Sequence, residues 1–243
     1  VIQGQLSAEQ VRLRDTTLDR LNADFSLASD ALQLRSFRVE QGALEVRGQG
    51  GIRLEAWRQC DECRLDGLAT LTRLPLERLL RELHIDVPLA GRLSADVTAS
   101  GVLAEPNLAA RVQVEEGSLM DQPFEHLRAR LALNGRVLQI ESSQTELAGG
   151  RVEASGTIRF AADSWERAQA SLNLKTSPVQ ISGIRALSRA LNGAQGTVSA
   201  EARVQASING RNLQIEAIDG EARLPRLSLG TAEGNATLNA LTQ

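Results

Sequence analysis

Apolar and polar residues alternate with a period of two along most of this chain. In residues 127–133 every odd position is apolar, and Asn134-Gly135, a dipeptide typical of tight hairpin turns, follows directly. A second such turn is expected at Asn209-Gly210. Because successive side chains of a strand point to opposite faces, each strand would have one apolar and one polar face, as in antiparallel sheets. The pattern predicts an all-β protein of about sixteen to eighteen short antiparallel strands.

The same alternation identifies the residues that we expect on the apolar face. They are Leu21, Phe25, Leu27, Leu32, Leu34, Val46, Ile52, Leu54, Leu93, Val97, Leu127, Leu131, Leu133, Leu138, Ile140, Val152, Ile158, Phe160, Leu172, Leu174, Val198 and Val204.

Two segments depart from the period of two. Residues 75–83 carry apolar side chains at helical spacing after a proline, and residues 178–191 do so more loosely through Ile184, Leu187 and Leu191. The sequence therefore predicts two short amphipathic helices. They would either cap the sheet or form a lid over an apolar channel.

The sequence also repeats itself at a spacing of 106 residues. Leu27 corresponds to Leu133, Leu32 to Leu138, and the correspondence holds without a gap over roughly the first 56 residues. Asn107-Leu108 returns as Asn212-Leu213, where a third copy begins. We expect a single elongated β-repeat region with units at 1–106 and 107–211 and the start of a third at 212–243. An array that starts and stops within a unit is expected to be an internal fragment of a longer protein.

Composition excludes several function classes. The 27 basic and 30 acidic residues of this 243-residue chain are evenly spread, which argues against nucleic acid as a partner. No apolar run reaches the roughly 18 residues of a membrane helix. His84 and His126 have no matched nucleophile and acid near them in sequence, so we expect no enzyme, no cofactor and no metal site.

The only cysteines, Cys60 and Cys63, are three residues apart. A local disulfide closing a β-turn is the favoured interpretation and indicates an oxidising compartment. The alternatives are a thioredoxin-like redox pair, half of a zinc site, or free thiols.

One-sided strands must hide their apolar faces. They can pack as two facing sheets, or one long sheet can fold into a U that leaves an apolar trough. Serial repeats and an aliphatic face with only 2% aromatic residues favour the trough. With strands about 4.8 Å apart it would run for roughly 75 Å, and an exposed apolar strip of that length needs a ligand or a partner.

Three consecutive segments carry a resemblance to a known family. Residues 90–97 (AGRLSADV), 101–108 (GVLAEPNL) and 112–119 (VQVEEGSL) resemble the recurring phrase of the TamB/AsmA-like superfamily. Gly196-Thr197-Val198-Ser199-Ala200 repeats its beginning, although Arg211 stands where the later proline is expected. The cysteine pair is not part of the phrase.

The resemblance implies a β-taco, which is a long U-shaped sheet with a hydrophobic groove. It also implies a periplasmic location, with an inner-membrane anchor elsewhere in the full protein and a reach to the outer membrane. Phospholipid acyl chains would bind the groove of a monomer that carries lipids between the membranes. The family is further tied to outer-membrane protein assembly with a TamA-like barrel, through regions outside this chain.

Two other functions remain open. A periplasmic scaffold or chaperone could hold unfolded outer-membrane strands on its sheet edges by β-augmentation. A purely structural β-solenoid would instead have a filled interior and no ligand.

Overall fold

The computed structural model shows one open antiparallel sheet. It describes residues 1–13, 16–82, 88–119, 121–185, 188, 195–210, 212–229 and 232–241. The strands are β1 (Ile2–Leu13), β2 (Thr16–Leu27), β3 (Ala31–Gln41), β4 (Leu44–Arg53), β5 (Arg64–Pro75), β6 (Leu89–Val102), β7 (Pro106–Leu119), β8 (Gln122–Asn134), β9 (Val137–Leu147), β10 (Gly150–Ala161), β11 (Ser164–Thr176), β12 (Val179–Gln180), β13 (Gln195–Asn209), β14 (Asn212–Leu229) and β15 (Ala232–Leu241).

Fourteen strands hydrogen-bond in chain order, and β12 lies off this path, paired with β13. In the described part of the chain, β1 and β15 are the two ends of the sheet and do not pair with each other. The expected fold class, an all-β elongated antiparallel sheet that forms an open groove, is confirmed.

The described residues form fifteen strands, fewer than the sixteen to eighteen that the alternation predicted. Apart from β12 they span 10 to 18 residues. The reason is that β-bulges change the phase of the alternation without ending a strand. In β3, Leu34 and Phe37 lie on the same face because the register shifts between them.

Helix is nearly absent from the described residues. One seven-residue helix, α1 (Leu76–Glu82), follows Pro75, which ends β5. The predicted extension to Leu83, and His84 beside it, lie outside the described residues.

The second predicted helix is wrong in its first turn. Residues 179–180 form β12 against β13, and a 3-10 helix spans Ile181–Gly183. The backbone N–H of Ser188 then donates to the carbonyl of Ile184. Leu187 and Leu191 lie outside the described residues. Pairing of Val179 with Val198 and burial of Ile181 decide the backbone here, and helical spacing in the sequence does not report such contacts.

The strand ends form two long edges, which we name the hairpin rim and the covered rim. The hairpin rim comprises the turns at residues 28–30, 54–63, 103–105, 135–136 and 162–163. The covered rim carries α1 and the segment 177–185.

The few buried residues of the described chain lie mainly under these two covers. Leu76 of α1 packs with Leu74, Leu93, Val114 and Phe124 of four successive strands. A second cluster joins Val179, Ile181, Val198 and Leu224. Hydrophobic burial therefore closes one edge of the apolar face and leaves its remainder accessible.

Three of the four phenylalanines lie over a glycine of the neighbouring strand. The register pairs are Gly4 with Phe25, Gly48 with Phe37 and Gly117 with Phe124. A Cβ added at Gly117 would lie 2.2 Å from Cζ of Phe124, so the ring occupies the space that a side chain would take. This arrangement keeps the apolar face thin and stabilises glycine within a strand.

The accessible surface is that of an open sheet. The chain exposes 16256 Å², whereas a compact monomer of its 26.2 kDa mass would expose about 10,600 Å². Two sheets packed face to face would lie near the smaller value, so the sandwich alternative does not describe this molecule.

Cys60 and Cys63 form a disulfide with their Cα atoms 5.0 Å apart. Their loop fixes two other turns of the hairpin rim, because Leu103 donates a backbone hydrogen bond to Cys63 and Trp57 donates one to Ser29. Cys63 is only 3% exposed.

We expect the C60A/C63A variant to lose about 2 kcal/mol of unfolding free energy, because the four-residue loop no longer restricts the unfolded chain. Denaturant unfolding of oxidised wild type, reduced wild type and the variant measures this. The two proteins that lack the bond should share a lower midpoint, and equal midpoints for all three would contradict the prediction.

Candidate functional site: the apolar face

The residues predicted for the apolar face share one side of the sheet. Cross-strand register places Leu27 opposite Leu32, Leu32 opposite Ile52, and Leu138 opposite Ile158. The row continues through Ala170 and Ala206 on the later strands. Away from the strand ends, the register partners on this side from β2 to β14 are apolar residues, glycine or small hydroxyl residues. Leu54 lies one residue beyond β4.

The sequence analysis expected Leu93 and Val198 to line an open surface, but the structure buries both. They are buried beneath α1 and the 177–185 segment, respectively. The covers come from residues distant from these strand positions, so the alternation could not reveal their burial.

Several residues of the same face were missed by the sequence analysis. They are Phe37, Val39, Leu65, Ala69, Leu71, Ala99, Leu108, Ala110, Val112 and Ala170. Their period-two alternation was the signal that could have identified them. The alanines make parts of the apolar face shallow, because their side chains are short.

Gln122 helps to hold the segment that covers the later strands. Gln122 donates through Nε2 to the carbonyl of Gly183 at 3.1 Å and accepts from the Arg185 N–H at 2.8 Å. Arg185 also donates through Nη1 to the Asp121 carbonyl at 2.6 Å. On the earlier strands, Arg78 of α1 donates a side-chain hydrogen bond through Nη1 to Oε1 of Gln41. Both covering segments, α1 and residues 177–185, therefore hydrogen-bond to strands that precede them in the chain.

The apolar face is exposed to solvent near its β1 end and at Ile215 of β14, which is 57% exposed. Ile2 of β1 is 56% exposed. Ile158, in the middle of β10, is partly buried, whereas its neighbour Arg159 on the other face is exposed. The arrangement offers a continuous aliphatic surface with polar residues behind it, which suits a long apolar ligand.

The polar face has a feature that the sequence analysis did not predict. It forms two adjoining concave regions of about 1300 and 1320 Å³, which share Glu153 and Lys175. A twisted sheet curves in opposite senses along its two diagonals, so either face can be locally concave. Arg111 lies opposite Arg130 in register within the first region.

One ion pair on the polar face shifts the pKa values of both of its members. Arg223 donates through Nε to Glu221 at 2.6 Å, which holds the pKa of this carboxylate below its usual value and raises the pKa of Arg223. The Arg223 side chain is 69% exposed and the Glu221 side chain 39% exposed. Within the described ranges, no three His, Cys, Asp or Glu side chains are grouped so as to hold a metal ion.

No protein-family model, no curated protein and no solved structure matches this chain. In the described residues, no helix has the length and apolar character needed to cross a membrane.

Proposed function

We propose that the apolar face binds phospholipid acyl chains and carries them along the sheet, as one segment of a periplasm-spanning, TamB/AsmA-like envelope protein. The observation that supports this most directly is an apolar face that continues from β2 to β14 and remains partly accessible. The resemblance of residues 90–119 to the recurring phrase of that superfamily supports the choice of ligand.

The energetics of such a surface favour movement over fixed binding. Each methylene removed from water contributes about 0.8 kcal/mol. Most side chains of the face are Leu, Ile, Val and Ala, with glycines, a few phenylalanines and small hydroxyl residues between them. Because neighbouring positions are nearly equivalent, a chain would have little positional preference. Headgroups would remain in water beyond the open hairpin rim.

Compartment and partners are part of the same proposal. The Cys60–Cys63 disulfide supports an oxidising location such as the periplasm. Anchorage in the inner membrane, and any contribution to outer-membrane protein assembly with a TamA-like barrel, would involve regions beyond this chain.

A second candidate function follows from the free edge of β1. Its outer backbone groups have no strand partner among the described residues, and Ile2 and Leu6 are exposed beside it. Such an edge can accept an incoming strand, which is the chemistry of a chaperone for unfolded outer-membrane proteins.

Photo-crosslinking in intact cells tests the proposed function. A photoreactive amino acid at Ile158 should form lipid adducts, and the same residue at Arg159, on the opposite face, should not. Adducts to polypeptide from Ile2, with none to lipid from Ile158, would instead support the chaperone function. Absence of lipid adducts at Ile158 in the folded protein would contradict lipid carriage.

A further inference from the structure

Three arginines meet on the polar face of β7 and β8. Arg111 lies directly opposite Arg130 in register, and Arg128 lies two residues before Arg130 on the same strand. All three are exposed, because the alternation directs them away from the apolar face. Directly opposite residues have Cβ atoms about 5 Å apart, and residues two positions apart on a strand are separated by about 6.6 Å. The three guanidinium groups can therefore converge on one ligand.

This arginine cluster is not neutralised within the sheet. The ion pairs of the described residues all involve other arginines. Asp96, the register partner of Arg111 on β6, accepts a hydrogen bond from the Thr70 hydroxyl at 2.9 Å instead. Like charges that lie directly opposite each other destabilise an antiparallel pair of strands. An anion bound between Arg111 and Arg130 would relieve this repulsion.

The first copy of the repeat folds the same strand pair without these arginines. The corresponding positions lie 106 residues earlier and have the same register, with Gln5 opposite Asp24 and Ser7 opposite Asn22. There the Ser7 hydroxyl donates to Oδ1 of Asn22 at 2.8 Å, and Asp24 lies 3.6 Å from Nη1 of Arg35. Strand pairing therefore does not require cations at these positions, and the arginines of the second copy call for another explanation.

The arginine cluster lies at one end of the first concave region of the polar face, which has a volume of about 1300 Å³. Gln113 and Gln144 flank Arg128 in register, and Ser142 lies opposite Arg130. These neighbours add two amides and a hydroxyl, which donate hydrogen bonds to the same kind of oxygen that a guanidinium group binds.

The carboxylates of this concave region lie on later strands. They are Glu141, Glu153, Glu201, Asp219 and Glu221. Glu153 and Glu221 each pair with an arginine of their own strand. Glu141 is the extra residue of the β-bulge beside Arg130 and so lies next to the cluster. The lining residues of β7 and β8 carry three positive charges and no negative one, and a concave surface strengthens the potential that an anion meets there.

We propose that Arg111, Arg128 and Arg130 form a binding site for a phosphate group. Each guanidinium group matches two phosphate oxygens in a bidentate pair. A phosphate monoester carries a charge of about −1.5 to −2 at neutral pH, so three arginines balance it better than they would a single carboxylate. The ligand is either a soluble phosphate or the headgroup of a lipid, since the phosphate chemistry of the two is the same. The site lies on the face opposite the apolar face and does not depend on acyl chains there, so the two proposals fail separately.

Titration with inorganic phosphate at constant ionic strength tests the site, with the arginine Nε–Hε resonances followed by NMR. The resonances of Arg111, Arg128 and Arg130 should shift together and saturate. The resonance of Arg159, a single arginine on the polar face of β10, should not move. Absence of a saturable shift at the three arginines would overturn the proposal.

A charge-matched pair of variants separates a site from general attraction. R111Q/R128N/R130Q introduces at positions 111 and 128 the residues that the first copy uses, so it should fold as wild type. It should bind phosphate roughly tenfold more weakly, which corresponds to about 1.4 kcal/mol. R12Q/R53Q/R159Q removes the same charge from exposed positions of β1, β4 and β10 and should bind as wild type. Equal weakening in both variants would show that phosphate responds to net charge alone and would overturn the site.

Glu141→Gln tests the position of the phosphate with a gain of affinity, which a folding defect cannot imitate. Removing this negative charge beside Arg130 should strengthen phosphate binding roughly twofold. Unchanged or weaker binding by a folded Glu141→Gln protein would place the phosphate away from the cluster and contradict the proposal.

Two phosphate esters distinguish the sources of the ligand. Glycerol 3-phosphate represents a soluble ester, and dihexanoyl phosphatidic acid below its micelle concentration represents a lipid headgroup. Both are titrated into Ile158→Asp, in which the apolar face carries a charge. Equal affinities that R111Q/R128N/R130Q lowers together would support a site for phosphate alone. Tighter binding of the lipid that still requires the three arginines would support a headgroup site. If neither the esters nor inorganic phosphate bind at the arginines, the proposal is wrong.

Discussion

Replacing Ile158 by aspartate is expected to abolish acyl-chain binding near the middle of β10 while the sheet stays folded. Ile158 lies on the apolar face between its register partners Leu138 and Ala170 and is only partly buried. Without ligand, water reaches the new carboxylate. An acyl chain laid over it would remove that water, and the cost of burying an unpaired carboxylate is several kcal/mol. A loss of about 2.7 kcal/mol already corresponds to roughly a hundredfold in affinity.

Displacement of a fluorescent phospholipid measures the affinity, and thermal unfolding followed by circular dichroism checks the fold. Arg159→Asp is the matched control, since it places the same carboxylate one residue away on the polar face and should bind as wild type. Unfolding of Ile158→Asp would indicate a closed core at this position. Unchanged binding would exclude the apolar face of β10 as the lipid site.

The contact of Phe124 with Gly117 is expected to give the largest single effect on stability. Phe124→Ala removes a buried ring from the cluster beneath α1 and should cost about 3–5 kcal/mol. Gly117→Ala should cost about 1–3 kcal/mol, because its Cβ would lie 2.2 Å from the ring.

The double variant tests the coupling of the pair. Once the ring is gone, the added methyl group has room, so G117A/F124A should be no less stable than F124A alone. Denaturant unfolding of the four proteins gives the coupling energy. Gly4→Ala is a graded control. Its Cβ would lie 3.0 Å from Cζ of Phe25, so this substitution should cost less unfolding free energy than Gly117→Ala. Additive effects of the two substitutions would show that Gly117 is required for a reason other than the ring.

The alternation of residues determined which side chains share a face. A strand has a side-chain period of two whatever surrounds it, so Leu27, Leu138 and Ile158 fall on one side wherever the strands pair. The positions of two hairpins were equally readable, because both Asn-Gly pairs lie at hairpins, with Asn134 and Asn209 ending their strands and Gly135 and Gly210 adopting positive φ after them. The close pair of cysteines also formed the local disulfide that their spacing favoured.

Only the tertiary structure decided which parts of that face are covered. Leu93 and Val198 are buried by α1 and by the 177–185 segment, which fold over the strands that follow them, and the contacts of the latter segment turn residues 179–183 away from the predicted helix. The bulge after Leu34, the strained turn at Ala56-Trp57 and the concave polar face likewise depend on pairing register and sheet twist. The sequence by itself determined that one face of the sheet is apolar and the other polar, since this follows from the period-two alternation. Which parts of each face are open to a ligand depends on contacts between residues far apart in the chain, which no local pattern encodes.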